Sequence, residues 1–119
     1  MPYIDLYILP IPKDNLPVYK KIASKYGKIM REHGALSYRE IQGDESTPEE
    51  GVSSLLKAIK PKEGEVIIAS IGEFKNRKHR DQVVKKMAKD PRIEKMMQET
   101  PPVALKKMYY GGFTSFVNA

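Results

Sequence analysis

Tyr3-Ile4-Asp5-Leu6-Tyr7-Ile8-Leu9-Pro10-Ile11-Pro12 is the stretch on which the reading of this chain turns. It is rich in β-branched and aromatic residues and has the length of a strand, so residues Tyr3 to Pro12 are predicted to be one. Pro10 and Pro12 lack an N–H and are expected where a hydrogen-bonded ladder ends. A sheet with one wet face alternates apolar and polar residues. This strand instead has Ile4, Leu6 and Ile8 on one side and Tyr3, Tyr7 and Leu9 on the other. Both sides are greasy, and a single carboxylate, Asp5, interrupts the pattern.

The segments that follow fall into place around that strand. Asp14 or Asn15 is positioned to cap a helix with Pro17 in its first turn, and Val18, Ile22, Tyr26, Ile29, Met30 and His33 recur at helical spacing up to a Gly34 stop. Ala35 to Ile41 reads as a second strand, and Glu49 to Lys60 as a short helix after turn-forming residues. Glu65 to Phe74 is a third strand, and Asn76 caps a helix running to Lys89. Asp90-Pro91 breaks that helix and starts a further turn through Met97. Pro101-Pro102 is a linker, and Lys107 to Val117 is a fourth strand. The order β-α-β-(α)-β-α-β predicts a single α+β domain over residues 1–119. It is a ferredoxin-like β-α-β-β-α-β fold with two helices on one face of a four-stranded antiparallel sheet. Helices cover only one face, so the other apolar face is expected to meet a second copy of the chain in a twofold homodimer.

Composition narrows the function classes. With no cysteine among 119 residues, disulfides, thiolate catalysis and cysteine-held metal sites are excluded. No apolar run reaches the ~20 residues of a membrane span, and the first residues carry no signal-peptide pattern, so a cytoplasmic protein is expected. The formal charge is +6, and Lys75 to Lys95 holds nine basic residues against three acidic ones. Lys78, Arg80, Lys85, Lys86, Lys89 and Arg92 form the candidate anion or phosphate surface of that segment, although a solvated helix face is the plainer account. No aromatic residues interleave with these charges, so any nucleic-acid binding is expected to be weak and indifferent to sequence.

Several runs resemble a small bacterial and archaeal family of unknown function, the YbaA family. They are Tyr3-Ile4-Asp5, Gly34-Ala35-Leu36, Lys86-Met87-Ala88-Lys89-Asp90-Pro91-Arg92 and Lys107-Met108-Tyr109-Tyr110-Gly111-Gly112-Phe113. The resemblance spans essentially the whole chain. It implies a dimeric α+β barrel, the architecture of antibiotic-biosynthesis-type monooxygenases, and brings no established activity. The chain departs from the family pattern at Ile71, where a Trp stands in relatives, at the Lys75-Asn76 helix start and at Val84.

Asp5 is the most informative residue, because a carboxylate in a core strand needs a partner. It reads either as a ligand-gripping group ringed by tyrosines or as half of an ion pair, with Arg39 or a basic residue across the twofold as the other half. The candidate ligand pocket is Tyr3, Asp5, Tyr7, Glu40, Glu73 and Tyr109. His33 suits the C-terminal end of its helix, and His79 is placed one turn before Val83, where it can face the sheet. Two histidines 46 positions apart make no metal motif, and neither metal nor cofactor is expected. Gly111-Gly112 within a strand marks a bulge or a close backbone approach. The leading expectation is a small organic ligand bound in a barrel or sheet–helix cleft, with cofactor-independent monooxygenase or isomerase chemistry as its extension. The alternatives are a weak nucleic-acid-binding module and a non-catalytic interaction protein.

Overall fold

The computed structural model describes residues 1–44, 49–99 and 107–119. Four strands, β1 (Tyr3–Pro12), β2 (Ser37–Gln42), β3 (Glu65–Phe74) and β4 (Tyr109–Thr114), form one antiparallel sheet in the order β2-β3-β1-β4. The helices are α1 (Leu16–Glu32), α2 (Leu55–Ala58), α3 (Arg77–Ala88) and α4 (Pro91–Glu99). This is the ferredoxin-like arrangement that the segment order predicts, with the outer two strands following the crossovers. No helix among the described residues is long and apolar enough to cross a membrane.

Local chemistry explains most of the boundaries. Asn76 accepts a hydrogen bond from the His79 N–H at 2.8 Å and caps α3. Gly34 leaves α1 at φ +115°, a conformation that a Cβ disfavours. The boundaries depart most from the sequence reading at three places. Asn15 holds the cap position of α1 without a side-chain cap bond, because Lys13–Asn15 forms a 3₁₀ turn that leads into the helix. The segment read as a helix from Glu49 is helical only over Leu55–Ala58, since Gly51 turns at φ +84° and Ser54 caps the shorter helix through the Lys57 N–H. β4 ends at Thr114, opposite Tyr3, the first residue of β1, with one more backbone bond beyond it from the Ser115 N–H to the Pro2 carbonyl at 2.9 Å. Pro10 and Pro12 pair with Ile67 and Glu65 of β3, while the β4 ladder stops at Ile8; the prolines therefore end one ladder and continue the other. Pro101-Pro102, read as a linker, lies outside the described residues.

The helices pack on one face only. Tyr3, Ile29, Met30, Phe74, Val83 and Met87 form one buried cluster beneath α1 and α3. Leu9, Ile11 and Ile68 form a second, with Leu16, Tyr19 and Val66 against it. Ala23 and Gly27 are buried on α1, whereas Val18, placed on the apolar stripe by spacing alone, is 55% exposed. Small residues win that face because α1 lies close to the sheet: a Cβ on Gly27 would sit 2.3 Å from the Tyr38 ring. The opposite face carries Ile4, Leu6 and Ile8 of β1 beside Ile71, Ala69, Tyr109 and Phe113, by strand register. Tyr109 and Phe113 are about half exposed.

Candidate functional site

Between the two core clusters, the helix-covered face of the sheet is polar. Alternation along β1 puts Asp5 and Tyr7 between Tyr3 of one cluster and Leu9 of the other. Strand register extends these positions into two rows across all four strands. One row reads Tyr110, Tyr7, Ser70, Glu40; the next reads Gly112, Asp5, Gly72, Tyr38. A transverse polar band thus divides the core, at a cost in apolar packing that ordinary folding does not require.

At the β1–β4 end, the Tyr110 hydroxyl donates to Asp5 Oδ1 at 2.8 Å. Arg80 of α3 donates through Nη1 to the Tyr110 oxygen at 3.0 Å and lies 3.4 Å from Asp5 Oδ1. The guanidinium also sits over the Tyr3 ring, 5.0 Å from its centroid. Its Nε is 2.9 Å from Asp81 Oδ1, an ion-pair distance whose angle makes no hydrogen bond. Asp5 is buried, and the Arg80 side chain is only 17% exposed. Gly112 is required here, because a Cβ would meet the Tyr3 hydroxyl at 2.0 Å. Burial and the bond to Asp5 push the Tyr110 hydroxyl up to about 12.

At the β2–β3 end, Glu40 accepts from three hydroxyls. Tyr19 donates to Oε2 at 2.9 Å, Ser70 donates to the same oxygen at 2.6 Å, and Tyr38 donates to Oε1. Burial, then the adjacent Glu40, hold Tyr38 far above the ordinary phenol value, and burial likewise raises Tyr19. These hydroxyls remain donors at neutral pH. Tyr19, Tyr38 and Glu40 line a groove of about 540 Å³ between α1 and β2, with Leu16, Ala23 and Ile68 as its apolar surface. Its volume falls within the ~300–1,000 Å³ range of small-molecule clefts. Tyr26 of α1 stands between the two ends, with its ring 5.8 Å from Tyr38 and its hydroxyl raised by burial and then by Tyr7, Asp5 and Glu40.

The six pocket residues read from the sequence therefore separate. Tyr3, Asp5 and Tyr7 come together, and Glu40 shares their face at the other end of the band. Glu73 and Tyr109 lie on the opposite face, opposite Ile4 and Ile8, because each strand has a period of two; Glu73 accepts there from Ser37 at 3.3 Å. The Asp5 partner is Arg80, not Arg39, which register places on the open face opposite Ile71. Arg80 consequently leaves the candidate anion surface and turns inward. Arg92 is held by Glu32 and Asp90, while Lys78, Lys85, Lys86 and Lys89 stay exposed. His33 caps α1, with Nε2 2.7 Å from Asp90. His79 accepts the Lys75 N–H at Nδ1 and packs edge-on against Phe74, so its role is local. Among the described residues, no three His, Cys, Asp or Glu side chains cluster as a metal site. Arg80 and Tyr110 beside Asp5, and Tyr19, Tyr38 and Ser70 around Glu40, are the partners that the pocket reading missed. The lone hydroxyl of Ser70 within Val66–Ile71 was the available signal for one of them.

A four-stranded sheet in this order, with α1 and α3 on one face and a polar band beneath them, defines a ferredoxin-like α+β domain. The chain belongs to the family described as "Protein of unknown function (DUF1428)", whose model matches residues 2–104. It is 32% identical over 118 residues to "Uncharacterized protein YbaA" of Escherichia coli strain K12, covering 99% of each chain. The same identity and coverage hold for the protein of that name in Shigella flexneri. The YbaA resemblance is thereby borne out. Among solved structures, Rv0793 from Mycobacterium tuberculosis superposes with a TM-score of 0.60 over 100% of this chain and 99% of that one, at 10% identity, a likeness of fold alone.

Proposed function

We propose that the chain is a homodimeric α+β-barrel protein, each subunit of which binds a small organic ligand in the groove between α1 and β2. The observation that carries the ligand reading is the groove itself, about 540 Å³ with a carboxylate and two tyrosine hydroxyls on its floor. A small-molecule thermal-shift screen tests it, with Ser24→Trp as control, since exposed Ser24 lines the groove and a tryptophan there fills it. Hits that vanish in the variant support the reading; hits that survive, or none at all, overturn it. Glu40 as proton acceptor and Tyr38 as donor are the two groups that a proton-shifting isomerisation uses, and deuterium exchange into a bound hit tests that extension.

Dimer formation is supported by the uncovered apolar face around Ile4, Leu6, Ile8, Tyr109 and Phe113. Light scattering at micromolar concentration is expected to give twice the 13.6 kDa chain mass, with Leu6→Glu returning the monomer. A monomeric wild type overturns the dimer and leaves the groove reading to its own test. The same reading keeps the protein in the cytoplasm, where a cysteine-free chain needs no oxidising compartment.

A further inference from the structure

We infer that the groove takes an organic anion, a carboxylate on an apolar body; this rests on the groove being a ligand site at all. The lining charges are lopsided. Lys20, Lys28 and Arg31 of α1 border the groove, and Glu40 is the acidic residue on its floor. Glu40 does not answer those cations, because its two oxygens already take the hydroxyls of Tyr19, Ser70 and Tyr38. Among the described residues neither Lys20 nor Lys28 enters an ion pair.

Geometry adds direction to the charge. Lys20, Ser24 and Lys28 recur every fourth residue, so they run as one stripe along α1, spanning about 12 Å at 1.5 Å per residue. Arg31 closes that side further on. Its Nη1 donates to the Ala35 and Leu36 carbonyls, which fixes the guanidinium at the turn between α1 and β2. Leu16, Ala23 and Ile68 supply apolar surface below the stripe, and Ile41 adds to it from the strand edge. An anionic head at the lysine stripe with its hydrocarbon against these residues satisfies both surfaces. A cationic head there meets like charge, and a neutral head accepts a hydrogen bond without bringing the opposite charge.

The discriminating experiment is calorimetric titration of the full chain with octanoate, octanol and octylamine, three probes with one hydrocarbon body and different heads. Octanoate is expected to bind about tenfold more tightly than octanol, the worth of one charge-assisted hydrogen bond, with octylamine weakest. Lys20→Gln/Lys28→Gln is expected to remove that preference, bringing octanoate down to the affinity of octanol, and both side chains are exposed, so the fold is kept. Equal binding of all three, abolished by Ser24→Trp, overturns the anion class and leaves the groove standing. A preference for octanoate that persists in the double variant places the anion elsewhere and overturns the inference. No binding by any probe overturns it as well, and the broader screen then decides the groove separately.

Discussion

Asp5 and Glu40 share the helix-covered face of one sheet, in adjacent rows of the polar band, and differ in what satisfies them. Asp5 has a cation, Arg80, with Tyr110 hydrogen-bonded to both. Glu40 has three neutral hydroxyls and borders the groove. A buried carboxylate paired with a guanidinium is locked, because neither charge can leave without stranding the other. One held by hydroxyls can exchange a donor for a ligand at smaller cost, since each donor is an ordinary hydrogen bond. The difference marks the Asp5 end as the locked one and the Glu40 end as the one that borders the groove for which a ligand is proposed.

The comparison breaks most visibly at Arg80. Arg80→Met is expected to lower stability by about 3 kcal/mol by leaving the Asp5 carboxylate without its cation. Asp5→Asn costs about 1–3 kcal/mol for the reverse reason, and the double variant recovers most of the loss. Urea unfolding of the four proteins measures the cycle; additive losses would show that the pair is not coupled. Gly27→Ala comes next, at about 1–3 kcal/mol, because the new Cβ drives the Tyr38 ring off its place. That variant also reshapes the groove, so binding of the proposed ligand is expected to fall with stability. Glu40→Gln is milder, about 1 kcal/mol, because an amide keeps one acceptor oxygen for the hydroxyls. A loss at Glu40 as large as at Arg80 would erase the distinction between the two ends.

Two titrations sharpen the same contrast at smaller amplitude. Tyr110 is raised in the folded state, so it favours folding below the ordinary tyrosine range near ~10, and that contribution fades as pH rises toward about 12. The stability gap between wild type and Tyr110→Phe therefore narrows over that alkaline window. Asp90 moves the other way. Hydrogen bonds from Arg92 and then His33 hold it well below the carboxylate range, so its contribution is present above ~4 and is lost as pH falls below that. The melting temperature of Asp90→Asn should lie below wild type at neutral pH and converge with it in acid.

Much of the architecture was legible in the chain itself. The β1 and β3 bounds, the Asn76 cap and the Gly34 stop follow from propensity, capping and left-handed backbone, all properties of neighbouring residues. The alternation along β1 likewise puts Tyr3, Asp5 and Tyr7 on one face. Pairing Asp5 with Arg39 failed because β2 presents its residues alternately to the two faces, and its register with β3 puts Arg39 on the open one. Glu73 and Tyr109 left the pocket for the same reason, since a period of two places a side chain on a face only once the strand's register is known.

The sequence by itself determined that Asp5 needed a partner, that β1 carries apolar residues on both of its sides and that the segments alternate as they do, because desolvation and periodicity act on every residue wherever the chain goes. Only the tertiary structure decided which partner. Arg80 is 75 residues from Asp5, and Tyr19 and Ser70 reach Glu40 from 21 and 30 residues away. Contacts at such separations are set when register aligns the strands and the helices settle across them, and no local pattern encodes that alignment.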